Sequence, residues 1–354
     1  MATPAAPATF AVMHRRVTEA GVMAAIHEFM RRKANGEDGD LLIAEDVLLR
    51  RWLDGRLSGL AVFRATYEGD VITQTTRGDI FITEVPGEVH QEAIFRLNCV
   101  LDAALMGTPL KSTTDVDYYH AGHARRPDLA IRPRRAIRGD SRSNLPRCMI
   151  EVAVTHNTSF NTYDPHTRAL FDEFPVLQTV LVLVLYPLRN AATLDPNMNP
   201  ILAQMPALAV LYRRLGNNIA ITDAMSCGNH ALHGNVRLPV GVVVRDEVAA
   251  MAAELPLFNL GQPWNHGPAI TLLGDDLYRT SDGHGHIIQG LLPDYPVHLA
   301  TTIAAAIRTG YEEATPVNGL AAQAAAVQAA AQAAVQAAAA PNVRRRNHRY
   351  NLRH

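Results

Sequence analysis

Residues 148–154 read Cys-Met-Ile-Glu-Val-Ala-Val, a carboxylate set in the middle of a continuous apolar run. Such a run, rich in β-branched residues, is the pattern of a central strand covered on both faces. A carboxylate in that position is costly unless it is hydrogen-bonded, paired or bound to a cation. Glu151 therefore restricts this chain more than any other single residue. Whatever sheet holds the strand must also provide for the charge.

A second acidic residue, Asp128, heads another short apolar run, in Arg-Pro-Asp-Leu-Ala-Ile-Arg-Pro at 126–133. The pattern around the two predicts an α/β fold. Residues 88–106 form the clearest amphipathic helix, with Ile94, Leu97, Val100, Leu101, Ala104 and Leu105 at helical spacing. His90 shares that face. It is either an ordinary core or helix-start histidine or a group pointing into a site beneath the helix. Strands are expected at 129–132 and 148–154, a short helix at 164–174, and a second buried strand at 176–186.

Upstream, helices are expected at 17–32 and 41–53. Strands are expected at 61–67, 71–76 and 79–84, the first two joined by a hairpin at Glu68-Gly69-Asp70. Downstream, strands are expected at 208–213, 219–222 and 240–244, and helices at 248–254 and 298–313. The Gly-, Pro- and Asp-rich stretch 256–296 reads as loops with short strands. This divides the chain into a leader and N-terminal helix (1–36), a main domain (37–250), a mostly irregular C-terminal extension with a terminal helix (251–315), and an Ala/Gln-rich segment with a basic tail (316–354).

The 354 residues carry a net charge of -1, so no global field draws the chain to nucleic acid or membrane. Attraction of that kind has to be local, and arginine supplies the candidates. Arg134, Arg135, Arg138, Arg142 and Arg147 fall in a polar loop that is either solvated or phosphate-contacting. Arg344, Arg345 and Arg346 belong to a terminal basic run that reads as a nucleic-acid arm, a nuclear address or a solubilising tail. Lys33 and Lys111 are the only lysines, which leaves almost no candidate for a catalytic lysine. His120 and His123 are better read as part of a surface loop than as metal ligands.

Cys99, Cys148 and Cys227 fit neither a disulfide framework nor a zinc spacing. A reducing compartment suits them, and with no secretory pattern the expectation is an intracellular protein, cytoplasmic or nuclear. A transit peptide in the Ala/Pro-rich leader is the weaker reading. No apolar stretch reaches the roughly 20 residues needed to cross a bilayer.

Two carboxylates on neighbouring strands can converge on one hard cation. Mg²⁺ commonly takes one or two carboxylates together with substrate phosphate oxygens. In order and spacing, Gly87 and His90, Pro127-Asp128, Glu151-Val152, and Asp164 with Arg168 resemble the motifs of the PD-(D/E)XK nuclease superfamily. Within it they are most similar to the Uma-type candidate restriction endonucleases, over about residues 60–190. The resemblance implies a restriction-endonuclease-like core, a central mixed sheet flanked by helices. It implies hydrolysis of DNA phosphodiester bonds with Mg²⁺ or Mn²⁺ held by Asp128 and Glu151. His90 would assist and Arg168 would contact the scissile phosphate. DNA is then the partner, and a homodimer is compatible with the pattern.

The sequence departs from that pattern at position 153, where Ala stands in place of the motif lysine. Relatives of this type move the lysine to the following helix, and here that place holds Arg168, with His166 nearby. Arginine stabilises developing negative charge but cannot act as a base near neutral pH. Two other readings therefore stand beside the nuclease. One is a nuclease-fold protein that binds nucleic acid without cutting it. The other is a structural or interaction protein in which Glu151 is paired with an arginine and forms no site.

Overall fold

The protein, seen in a computed structural model, is described over residues 10–35, 37, 40–53, 62–68, 73–84, 87–114, 116–135, 142, 144–155, 160, 163–190, 199–234, 236–255, 267–280, 286 and 292–314. The Ala/Gln-rich segment, the basic tail and the first nine residues lie outside the described residues.

The N-terminal part comprises β1 (Met13–His14), α1 (Glu19–Ala34), β2 (Leu41–Leu48), α2 (Leu49–Leu53), β3 (Val62–Tyr67) and β4 (Arg77–Glu84). Then follow α3 (Glu88–Ala104), β5 (Leu110–Thr113), and the pair β6 (Tyr118–His120) and β7 (His123–Arg125). The centre of the chain gives β8 (Leu129–Pro133), β9 (Cys148–Val154), α4 (Tyr163–Glu173) and β10 (Thr179–Leu185). The remainder gives β11 (Ala207–Leu215), β12 (Asn218–Ser226), β13 (Arg245–Asp246), α5 (Val248–Glu254), β14 (Ala269–Leu272), α6 (Gly274–Leu277), β15 (Tyr295–His298) and α7 (Ala300–Ala314).

The larger sheet has seven strands in the order β13-β12-β11-β10-β9-β8-β5. Its middle strand, β10, reads Thr-Val-Leu-Val-Leu-Val-Leu and is buried at every position. It runs parallel to β9 and antiparallel to β11. Side chains alternate between two apolar layers. Ile150, Val152, Leu181, Leu183 and Ala209 pack on one face with Ala93, Leu97 and Leu101 of α3 and Ile303 and Ile307 of α7. Met149, Val180, Val182, Val210 and Tyr212 pack on the other with Leu170 and Phe171 of α4. The result is a helix–sheet–helix sandwich. Each buried Val or Leu contributes about 1.5–3 kcal/mol, so the two covered faces dominate the stability of this layer.

A second sheet, ordered β1-β2-β4-β3-β7-β6, carries α1 on one face. Val22, Ala25, Ile26 and Phe29 supply the helix stripe at i, i+3, i+4 and i+7. The β6–β7 hairpin fastens this sheet to the sandwich. Tyr118 joins the α4-side core, and Arg125 grips Glu173 of α4 through two bonds of 2.6 and 2.7 Å.

Several local expectations are corrected. The helix expected at 41–53 is strand β2 followed by the short α2. The apolar string there suits either period, and pairing with β4 decides for the strand. The strand expected at 71–76 is a turn over its described residues: the hydroxyls of Thr73, Thr75 and Thr76 bond one another, and Thr76 accepts the backbone N–H of Thr73. Threonines that satisfy backbone groups locally compete with a ladder. The loop expected at 118–123 is the hairpin β6–β7, turned at Ala121 and Gly122, both with positive φ. Residues 240–244 form no strand, and Val240 and Val243 are exposed; only Arg245–Asp246 pairs with β12. Among the described residues of 251–315, the expected short strands and terminal helix are present. β14, β15 and α7 contribute Ile270, Leu272, Val297 and Tyr311 to the same core as α3.

Candidate active site

Asp128 sits at a bend one residue before β8, with its side chain 5% exposed. The ladder between β8 and β9 ends at the pair Leu129–Ile150, so the register carried one step further sets Asp128 opposite Glu151. Register partners in antiparallel strands lie about 4.5–5.5 Å apart at Cβ. The Asp128 carboxylate is turned into the gap between the strands. There Oδ2 accepts the backbone N–H of Val152 at 2.7 Å. The same oxygen faces Nε2 of His90 at 3.3 Å.

His90 reaches this point because α3 begins at Glu88 and lies across the sheet face built from Ile150 and Val152. The imidazole is 1% exposed. It therefore belongs both to the helix start and to the ground beneath the helix.

Glu151 is half-buried within β9. By alternation with Met149 it projects to the α4 side of the sheet, while His90 comes from the α3 side. Asp128 stands between them at the strand end. Both of its described hydrogen bonds fall on Oδ2. Among the described residues, no group of three or more His, Cys, Asp and Glu side chains is gathered closely enough to hold a metal.

Arg168 is held elsewhere. It donates to Asp164 at 2.9 Å and to the Ile219 carbonyl of β12 at 2.9 Å, and its guanidinium lies over the Tyr212 ring of β11 at 5.9 Å. The hydrogen bond to Asp164 raises its pKa further and the Tyr212 phenol is pushed up by burial. Neighbouring strands are spaced about 4.8 Å apart, so its anchors lie two and three strands from Glu151. Arg134 donates to the carbonyls of Thr108 and Leu105 past the end of α3, and Arg135 is exposed. Arg138, Arg344, Arg345 and Arg346 lie outside the described residues.

Two polar centres had no signal in the sequence. Arg147, read there as part of a solvated or phosphate-contacting loop, is fully buried. It donates to the carbonyls of Arg279 at 2.7 Å and Leu145 at 2.9 Å. Asp276, 2% exposed, accepts two bonds from Arg213 at 2.6 and 3.1 Å and one from Thr179 at 3.1 Å. Both tie the segment around α6 to the sheet. Only the folded chain brings together residues this far apart in sequence.

No family model matches the chain, and no curated protein matches it. Among solved structures it is similar to a candidate nuclease of the DUF820 family from Anabaena variabilis ATCC 29413. That likeness is at 10% identity and a TM-score of 0.30, over 49% of this chain and 83% of that one. No described helix is long and apolar enough to cross a membrane.

Proposed function

We propose that the chain is a divalent-metal-dependent nuclease acting on DNA, with Asp128 and Glu151 as the metal-binding carboxylates. The observation that supports this reading is the register of β8 and β9, which ends at Leu129–Ile150 and, carried one step further, would set the two acidic residues opposite each other. Mg²⁺ or Mn²⁺ would suit an all-oxygen pair, and Oδ1 of Asp128, which makes none of its described hydrogen bonds, would be the oxygen to meet it. Bound there, such an ion lowers the pKa of a coordinated water and offsets charge on a phosphodiester. The chain's own contribution is positional. The Val152 N–H and His90 fix Asp128, and the buried strand fixes Glu151.

A second reading is a nuclease-fold protein that binds nucleic acid without cutting. The anchoring of Arg168 over Tyr212 favours it, together with Ala153 in the motif position. Both are decided by one experiment: nicking of supercoiled plasmid with Mg²⁺ or Mn²⁺ by wild type, Asp128→Asn and Glu151→Gln, alongside Mn²⁺ binding by electron paramagnetic resonance. The nuclease reading expects nicking and Mn²⁺ binding in wild type and loss of both in each folded variant. Mn²⁺ binding and nicking that persist in Glu151→Gln would overturn the site. DNA binding without nicking selects the second reading.

A further inference from the structure

We propose that Lys111 and Arg132, at the edge of the seven-stranded sheet, form a seat for a backbone phosphate of a DNA strand. The inference rests on the reading above and adds where the strand would lie. β5 is the edge strand beside β8, and their register sets Lys111 directly opposite Arg132. Like charges directly opposite in an antiparallel pair repel, so this pair destabilises the free protein. Both side chains are half-buried, which sharpens the repulsion. Burial is also the first cause that lowers the Lys111 pKa, followed by Arg132 and Arg134, and among the described residues no acidic group acts against them.

Neither described neighbour brings an anion to the pair. Arg134 is turned to the carbonyls of Thr108 and Leu105. Nε of Arg132 is buried with no acceptor among the described residues. The Tyr118 phenol beside it bonds Thr113 at 2.7 Å and also meets the Arg132 side chain, which holds the guanidinium in place without supplying a charge to offset it. A phosphate between the two cations would supply the missing acceptor and remove the repulsion in one step. Arginine and lysine together provide a planar fork and a point charge for that purpose.

Placement connects the seat to the carboxylates. Ala130 and Met149 pair across β8–β9 and both belong to the α4-side core. Arg132 and Lys111 project from that same face by alternation, as does Glu151. Arg132 lies four residues along β8 from Asp128, about 13 Å at the strand rise. A strand of B-DNA advances about 3.4 Å of axis per phosphate, so a strand held at the carboxylates reaches the seat within a few nucleotides.

The test is equilibrium binding of a fluorescent DNA duplex to the full chain in EDTA, from about 50 to about 200 mM KCl. Wild type is compared with Lys111→Gln, Arg132→Gln, the double variant and Lys111→Arg. The pair holds one phosphate, so its loss in the double variant reduces the slope of log K against log salt by about 0.9. Affinity at the lowest salt falls at least tenfold, Lys111→Arg keeps most of it, and Lys111→Gln melts no lower than wild type because the repulsion is gone. An unchanged slope in the double variant overturns the seat while leaving the carboxylate site standing, since plasmid nicking is scored separately. A seat that binds inorganic phosphate by ³¹P NMR, with duplex affinity unaltered by the substitutions, overturns the DNA assignment. Wild type that neither binds duplex nor nicks plasmid removes this proposal and the nuclease reading together.

Discussion

Val152 donates its backbone N–H to Oδ2 of Asp128 at 2.7 Å, so a side chain continues the β8–β9 ladder where its backbone pairing stops. A carboxylate doing this work is also a structural group. Asp128→Ala leaves a buried N–H without its acceptor and is expected to cost about 2–3 kcal/mol. Asp128→Asn retains an amide oxygen and is expected to cost about 1 kcal/mol. Chemical denaturation of the two variants checks this. Equal losses would show that Val152 does not depend on the side-chain oxygen.

The cysteines give a pH dependence. Burial pushes the Cys227 thiol up to about 12 from an ordinary 9.0, and pushes Cys148 up as well. Below pH 9 both states keep the proton and these groups add no pH dependence. Above it the unfolded chain ionises while the folded chain does not, so stability falls as pH rises from about 9 toward 12. Each buried thiol contributes about 1.4 kcal/mol per pH unit over that window. Thermal melts from pH 8 to 11 follow the decline, and Cys227→Ala flattens part of it. Cys99 is exposed, so one thiol should react with Ellman's reagent in the native protein and three in denaturant.

Arg147 is a buried cation held by backbone carbonyls. Arg147→Met strands those acceptors and is expected to cost about 3 kcal/mol. Arg147→Lys keeps the charge without the planar fork and should recover only part of it. Urea unfolding reads both, and hydrogen exchange in the α6 segment should rise in each. Unchanged exchange there would mean that Arg147 does not fasten that segment.

Arg168 clamps α4 to β12 through Asp164 and the Ile219 carbonyl. Arg168→Ala is expected to lower stability by about 1 kcal/mol, since the pair with Asp164 is partly solvated. Comparing its effect on melting with its effect on plasmid nicking separates the clamp from a phosphate contact. Loss of nicking in a variant that melts like wild type assigns Arg168 to substrate.

How much of this was legible in the chain depends on whether a feature needs a partner. Periodicity alone marked α1, α3, β9 and β10, because their apolar residues are dense and evenly spaced. The same local reading drew attention to Glu151 and Asp128, since a carboxylate in or at the head of an apolar run needs an explanation wherever the strand goes. It failed at 41–53, where one string suits a helix or a strand until β4 chooses, and at 240–244, where β-branched residues found no strand to join. The contact of His90 with Asp128, the opposition of Lys111 and Arg132, and the anchors of Arg147 and Arg213 depend on strand order and register. Those are set by packing among residues distant along the chain. Local pattern therefore determined which segments are buried, and the tertiary structure alone decided which charges meet.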